Sequence, residues 1–292
     1  MACTAGQLVA RRRGATPYRR PRARAFQAVP RNPVRARRPP RTPAALTAPR
    51  LALYVVCTAI LALAANFVYQ IIRKPSELFF PVSSVLAKTP TETWRAYAAL
   101  FRRYATPHVS AELLAALAQV EGSGNPLVRT YWRWSWPALP FDFYRPASSA
   151  VGMYQITNPT FEEARHYCIH NHELTREGAW NDWHSCWFNS LYLRVVPADA
   201  VQLTAADLDL KVTATLEHAG KSAASPVQVR HLAAVTHLCG AGAGALYARR
   251  GFRFSPGQRC GDHDPRVYLE RVDTLTAEFA RLAAREEASG PQ

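Results

Sequence analysis

The sequence predicts a mainly helical domain over residues 91–286, carried behind an apolar segment that can cross a membrane. Three observations support this. Apolar residues recur at three- and four-residue spacing in several windows, bounded by Ser, Asn, Gly or Pro. Period-two alternation is weak throughout. A run of 22 residues, 51–72, carries no charge, and at about 1.5 Å per residue it reaches roughly 33 Å. With 292 residues, the chain suits two domains or one domain with extensions.

The formal net charge of +15 is unevenly placed. Residues 1–50 hold 13 Arg and no Asp, Glu or Lys, which leaves 23 basic and 21 acidic residues for the rest. The basicity therefore belongs to the tail and gives no ground for nucleic acid as a partner of the domain. Rich in Arg, Pro and Ala without apolar periodicity, 1–50 reads as a disordered tail. The arginines precede 51–72, with only Arg73 and Lys74 just after it. This bias puts the N-terminus in the cytoplasm and the domain outside. Ala62-Leu63-Ala64 has the small-x-small form of a signal-peptide cleavage site. The apolar run continues past it through Phe67, Val68, Ile71 and Ile72, so an uncleaved anchor is expected. Residues 73–90, with Pro75, Pro81 and Pro90, read as a linker that lets the domain stand off the membrane.

Cysteine usage agrees with export. Cys3 falls in the tail and Cys57 in the anchor, leaving Cys168, Cys186, Cys239 and Cys260. Four cysteines in an oxidising compartment suggest two disulfides, with three connectivities open. Cys168–Cys186 and Cys239–Cys260 each close a short local loop and are the expected pairs. His166, Cys168, His170, His172, His184 and Cys186 also gather metal-ligand types. On a helix, alternate residues face apart, and Cys-x-x-Cys spacing is missing, so no metal is expected.

Within the domain, residues 93–104 form an amphipathic helix with Trp94, Tyr97, Leu100 and Phe101 on one face. Ser110 caps the next helix, which Leu113, Leu114, Leu117 and Val120 bury. It stops at Gly122-Ser123-Gly124, with Asn125-Pro126 preventing continuation. Glu121 therefore ends a buried helix, where desolvation and the negative helix end both favour a protonated carboxyl. Such a group suits general acid chemistry, although an isolated Glu-Gly is more often a frayed surface turn. Residues 127–146 read as a loop dense in aromatics, including Trp132 and Trp134, with Arg129, Arg133 and Arg145 interleaved. Half of these pack inward; the rest suit sugar faces. Residues 148–156 form a small-residue turn, and Asn158 caps a helix running to Cys168. Residues 181–195 and 207–218 are read as further helices. Ser225 caps another, with Pro226 at its first position, which runs into a glycine turn at 240–244. Tyr268, Val272, Leu275, Phe279 and Leu282 mark a long last helix, followed by a disordered end at 287–292.

Four motifs, in order, resemble the soluble-lytic-transglycosylase (SLT) family. EGSGNP from Glu121 resembles its Glu-Ser-x-x-Asn-Pro, with Gly122 at the serine and Ser123 one place later. GMYQI, within residues 149–160, resembles Gly-Leu-Met-Gln-Ile. HLCGAG resembles Ala-Tyr-Asn-Ala-Gly-type turns, with His237 at the tyrosine and Leu238 at the asparagine. PRVYLERV resembles the closing Tyr-Val motif. The resemblance covers about two-thirds of the chain. It implies a lysozyme-like fold, a membrane-anchored periplasmic enzyme of the bacterial inner membrane, and peptidoglycan as substrate. It implies Glu121 as the catalytic acid, and Ser123, Ser149, Met153, Tyr154, Gln155, His237 and Tyr268 as substrate contacts, to which the aromatic loop adds Trp132 and Trp134 as a platform for sugar faces.

Most glycosidases use two carboxyl groups, whereas members of this family need one. The glutamic acid protonates the bond between N-acetylmuramic acid and N-acetylglucosamine, then deprotonates the muramyl C6 hydroxyl to close a 1,6-anhydro ring. No cofactor is required. Asp142 is the acid that would make the chain a hydrolytic lysozyme instead. A non-catalytic glycan-binding scaffold of a secretion or conjugation apparatus is the reading from another class.

Overall fold

The computed structural model describes residues 47–289, except 80, 82–83, 137–140, 180, 183–184 and 222. Residues 1–46 of the tail and His184 lie outside the described residues, while 48–50, expected to be disordered, open helix α1. Two units separate at Ala48 and Pro49, and the architecture that follows belongs to the second. It is mainly helical. Eight helices are found among the described residues: α1 Ala48–Arg73, α2 Pro90–Tyr104, α3 Ala111–Gly122, α4 Asn158–Ala164, α5 Pro197–His218, α6 Pro226–Cys239, α7 Ala241–Arg249 and α8 Pro265–Ser289. Two small antiparallel pairs accompany them, β1 Trp132–Trp134 with β2 Tyr144–Pro146 and β3 Tyr167–His170 with β4 Glu173–Arg176.

Caps explain several helix starts. Thr89 and Glu92 form a capping box ahead of Pro90, and Ser225 with Gln228 forms another ahead of Pro226. Ser110 caps α3 by accepting the Leu113 N–H. The core centres on α3, whose residues 113–118 are all buried. It packs against α8 and α2, and α5 crosses α2, α6 and α7. Trp94, Phe101 and Phe279 meet where α2 faces α8.

Several elements differ from the sequence reading. The aromatic stretch is a hairpin, because β1 and β2 pair in register from Trp132–Pro146 to Trp134–Tyr144. Thr157 rather than Asn158 caps α4, which ends at Ala164, and Cys168 lies in β3. Of the helix expected over 181–195, only a short 3-10 turn, Trp187–Leu191, is found among the described residues. Helix α5 starts ten residues before the expected 207. The glycines at 242 and 244 lie inside α7, and only Gly240, at φ 81°, breaks the chain. Helix α8 continues through Ser289, past the expected end at 286.

Residues 73–90 are not a stand-off linker. A 3-10 turn, Pro75–Phe79, buries Glu77 completely. Its Oε2 accepts from Trp132 Nε1 at 2.8 Å and lies 3.4 Å from Arg129 Nη1. Lys74 Nζ lies 2.9 Å from Oε1, an ion-pair contact without hydrogen-bond alignment. One turn back, Gln70 donates to Asp142 at 2.9 Å, and Asn66 donates to the Tyr144 carbonyl. These polar residues join the end of α1 to the hairpin. Helix α1 is long and apolar enough to cross a membrane, and Leu51, Val55, Leu61 and Val68 on it are exposed.

Both disulfides link the expected neighbours, Cys168–Cys186 and Cys239–Cys260. No group of three metal-binding side chains occurs among the described residues, and Cys168 and Cys186 are joined to each other.

Two outcomes test this architecture. Loops spanning 18 and 21 residues are closed by the disulfides, so reducing either is expected to cost roughly 3 kcal/mol, read by urea unfolding. Glu77→Ala strands two cations and an indole N–H. It is expected to cost about 3–5 kcal/mol, and a loss below about 1 kcal/mol would show that the α1 junction is not a structural joint.

Candidate functional site

Glu121 stands in the last turn of α3, its side chain 18% exposed. The helix ends there because Ser123 turns left-handed at φ 49°. The Ser123 N–H then returns to Gln119 and the Gly124 N–H to Ala118, both at 3.0 Å. The Lys88 N–H holds the Ser123 carbonyl at 2.8 Å, bracing the turn from outside.

Tyr268, in the first turn of α8, donates its hydroxyl to Glu121 Oε1 at 2.6 Å. Burial, the Glu121 charge and this hydrogen bond push the phenol well above its ordinary range, so it stays a donor. His237, near the end of α6, brings Nε2 to 4.0 Å from the same oxygen, too far for a hydrogen bond. Glu121 Oε2 has no hydrogen-bond partner among the described residues. One oxygen is thus oriented from the core, and the other is available to an incoming group.

Gly122 sets this geometry. A Cβ there would lie 2.8 Å from Met153 Cα and 2.9 Å from the Met153 carbonyl. The loop carrying Met153 turns at Gly152, φ 78°, where a Cβ would lie 2.2 Å from the Arg194 carbonyl. Helix end and loop therefore approach backbone to backbone.

That approach corrects two expected substrate contacts. Met153 and Tyr154 are wholly buried, so neither is available to a ligand. The Tyr154 hydroxyl donates to the Leu114 carbonyl at 3.1 Å, and its ring meets the His237 ring edge-on at 6.5 Å. Tyr154 supports the site from beneath. Gln155, at φ 48°, spends its amide on the Gly152 carbonyl at 2.9 Å. Ser123 is exposed beside Glu121. Ser149 instead braces the loop, its hydroxyl accepting the Asn158 N–H at 3.1 Å.

Trp132 is also corrected. Trp132 packs between Phe67 and Tyr144 and binds Glu77. Trp134 stacks on Phe143 and is 68% exposed. Trp132 belongs to the α1 junction. Asp142 belongs there as well, held by Gln70 and, at 2.8 Å, by Arg145.

A small cavity of about 90 Å³ adjoins the site, lined by Gln155, Thr160, Thr204, Asp207, Thr236 and His237, among others. The buried hydroxyls of Thr204 and Thr236 have no partner among the described residues, and the space suits about three waters. Burial pushes the Asp207 carboxyl up, while Lys211 pulls it the other way. Burial alone would lower the Lys211 ammonium, but Asp207 and Glu163 outweigh it and raise it. Sequence reasoning passed over this pair, although Asp and Lys four apart on a helix was a visible signal. A larger hollow, about 810 Å³ between α2 and α8, lies elsewhere. Of the two carboxylates lining it, Glu286 is committed to Arg102 and Trp94.

No family model matches this chain, and no curated protein matches it.

The close approach at Gly122 makes a direct prediction. Gly122→Ser installs the residue of the transglycosylase pattern, yet it drives a side chain into the Met153 backbone. Loss of about 1–3 kcal/mol is expected from overpacking, measured by thermal unfolding. A neutral or stabilising result would mean the loop yields freely.

Proposed function

We propose that this chain is a membrane-anchored lytic transglycosylase that cleaves the bond between N-acetylmuramic acid and N-acetylglucosamine in peptidoglycan. The observation that carries this is the state of Glu121, a single carboxyl group with Oε1 fixed by Tyr268 and Oε2 unpartnered. In the first step the Oε2 proton passes to the glycosidic oxygen as the bond to muramyl C1 breaks. The muramyl acetamido oxygen stabilises the positive charge at C1. In the second step the Glu121 carboxylate takes the proton from the C6 hydroxyl, and O6 bonds to C1. The proton returns to Glu121, and no water is consumed.

Tyr268 supports both steps by holding the carboxyl plane while its protonation changes. His237 lies near enough to approach Oε1 or a sugar hydroxyl after a small rotation. The 90 Å³ cavity is too small for a sugar ring and suits one substituent. A two-carboxylate hydrolase is disfavoured because Asp142 is engaged at the α1 junction. Export agrees with the two disulfides, with the apolar helix α1 and with the arginine-rich residues ahead of it. We therefore place the N-terminus in the cytoplasm and the domain in the periplasm.

Incubation of the purified full chain with peptidoglycan sacculi tests the reading, with products read by mass spectrometry. Anhydro-muropeptides are expected, one water lighter than lysozyme products. Glu121→Gln keeps shape but delivers no proton, and turnover should fall at least 10²- to 10⁴-fold. Tyr268→Phe should cost about 10- to 100-fold, the worth of one hydrogen bond to a charged group. Asp142→Asn should keep the product pattern. Undiminished cleavage by Glu121→Gln would overturn the assignment. Absence of cleavage by the wild type, with glycan binding retained, would favour a scaffold.

A further inference from the structure

We propose that the foot of α1 is a binding site for the headgroup of an anionic phospholipid, with the β1–β2 hairpin bedded in the membrane interface. This rests on α1 spanning the bilayer and is independent of the glycan chemistry at Glu121.

The position of the hairpin comes first. Asn66 and Gln70 turn one face of α1 onto the hairpin, while Val68 and Ile72 stay exposed on the helix. From Leu51 to Ile72 the helix rises roughly 33 Å, about the thickness of a hydrocarbon core. Arg73 therefore reaches the headgroups, and the hairpin, joined to Asn66 and Gln70 just before it, lies at the boundary between acyl chains and headgroups. The joint is polar and buried, so the hairpin cannot swing away without parting Glu77 from Trp132 and Asp142 from Gln70. Trp136 is 98% exposed, and Trp134, Tyr131 and Phe141 are exposed with it. Amphipathic rings of this kind favour the boundary between headgroups and acyl chains.

The chemistry of the adjoining hollow comes second. About 670 Å³ opens between the end of α1, the hairpin and the 193–195 loop. Arg73, Lys74, Arg133, Arg145 and Arg194 line it against one carboxylate, Asp142. Arg145 and Gln70 already occupy that carboxylate. Neither Arg73 nor Arg133 has a carboxylate within 4.0 Å among the described residues, and both are exposed. Arg194 uses one nitrogen for the Ser149 and Ile156 carbonyls. Burial holds the Lys74 and Arg194 groups below their ordinary ranges, which an anion in the hollow would reverse. Guanidinium groups are suited to phosphate through paired N–H donors. A cationic hollow opening beside an apolar helix end and interfacial aromatics fits a phosphate that carries acyl chains.

The test uses the full chain reconstituted in nanodiscs of phosphatidylcholine, with or without phosphatidylglycerol. Native mass spectrometry is expected to show phosphatidylglycerol retained in preference to phosphatidylcholine. Arg73→Gln with Arg133→Gln should lower that preference roughly 30-fold, as expected for two cations lost at a membrane surface. Brominated lipid chains should quench the wild-type tryptophan fluorescence, and Trp134→Phe with Trp136→Phe should remove most of that quenching. Equal retention of both lipids, or quenching unchanged by the tryptophan pair, would overturn the proposal. Displacement of the lipid by millimolar inorganic phosphate, or by soluble muropeptides, would instead assign the hollow to a free anion and overturn it equally.

Discussion

The missing side chain at position 122 lets the end of α3 and the Gly152–Met153 loop touch backbone to backbone. Everything at the candidate site follows from that contact. It sets where the helix stops and how Glu121 leaves it. It also presses Tyr154 under α3, where the hydroxyl reaches the Leu114 carbonyl. Close packing of this kind is stiff, because interiors are filled to crystal-like density and yield little to a displaced methyl group. Tyr268 then completes the arrangement from a helix 147 residues away in sequence. Glu121 is thus oriented by core elements, not by surface loops.

A second rigid centre lies at the end of α1. Glu77 is a fully buried carboxylate shared between Lys74 and Arg129, and the Trp132 indole adds a third partner. Buried ion pairs of this sort add little net stability relative to apolar packing, but breaking one side is costly. Their effect here is on geometry. A polar network has few satisfactory arrangements, so it fixes the rotation of α1 against the hairpin where apolar contacts would tolerate sliding. Helix α1, long and apolar enough to cross a membrane, and the domain are consequently one mechanical piece.

How much of this was legible in the sequence depended on the range of the interaction. Ser110 and Ser225 announced their helices because a cap is decided within three residues. Both disulfides were readable because each joins near neighbours. Helix α5 was seen only from 207, because its earlier part buries Gln202 and Thr204 alongside apolar residues and so lacks a clean polar face. The hairpin was hidden because seven aromatics obscure any alternation, and its register is set by α1 through Asn66 and Gln70. Glu121 was identified from its position at a helix end. That Trp132 serves Glu77, and that Tyr154 is core, depended on contacts 55 and 40 residues apart, which no local pattern records.

The departures from the transglycosylase pattern are physically connected. Gly122 stands at the serine and touches Met153, the residue before Tyr154. Tyr154 stands at the methionine and meets the His237 ring at 81°. His237 stands at the tyrosine and faces Glu121. These positions form a chain of direct neighbours from the helix end, through the loop, to α6 and back to the carboxylate. Tyr154 packs edge-on against the His237 ring, and the loop closes on the helix end where Gly122 has no side chain. The energies of these residues should therefore be coupled, with double variants departing from the sum of single ones. The residues from Gly122 through Tyr154 to His237 are one packed unit around Glu121.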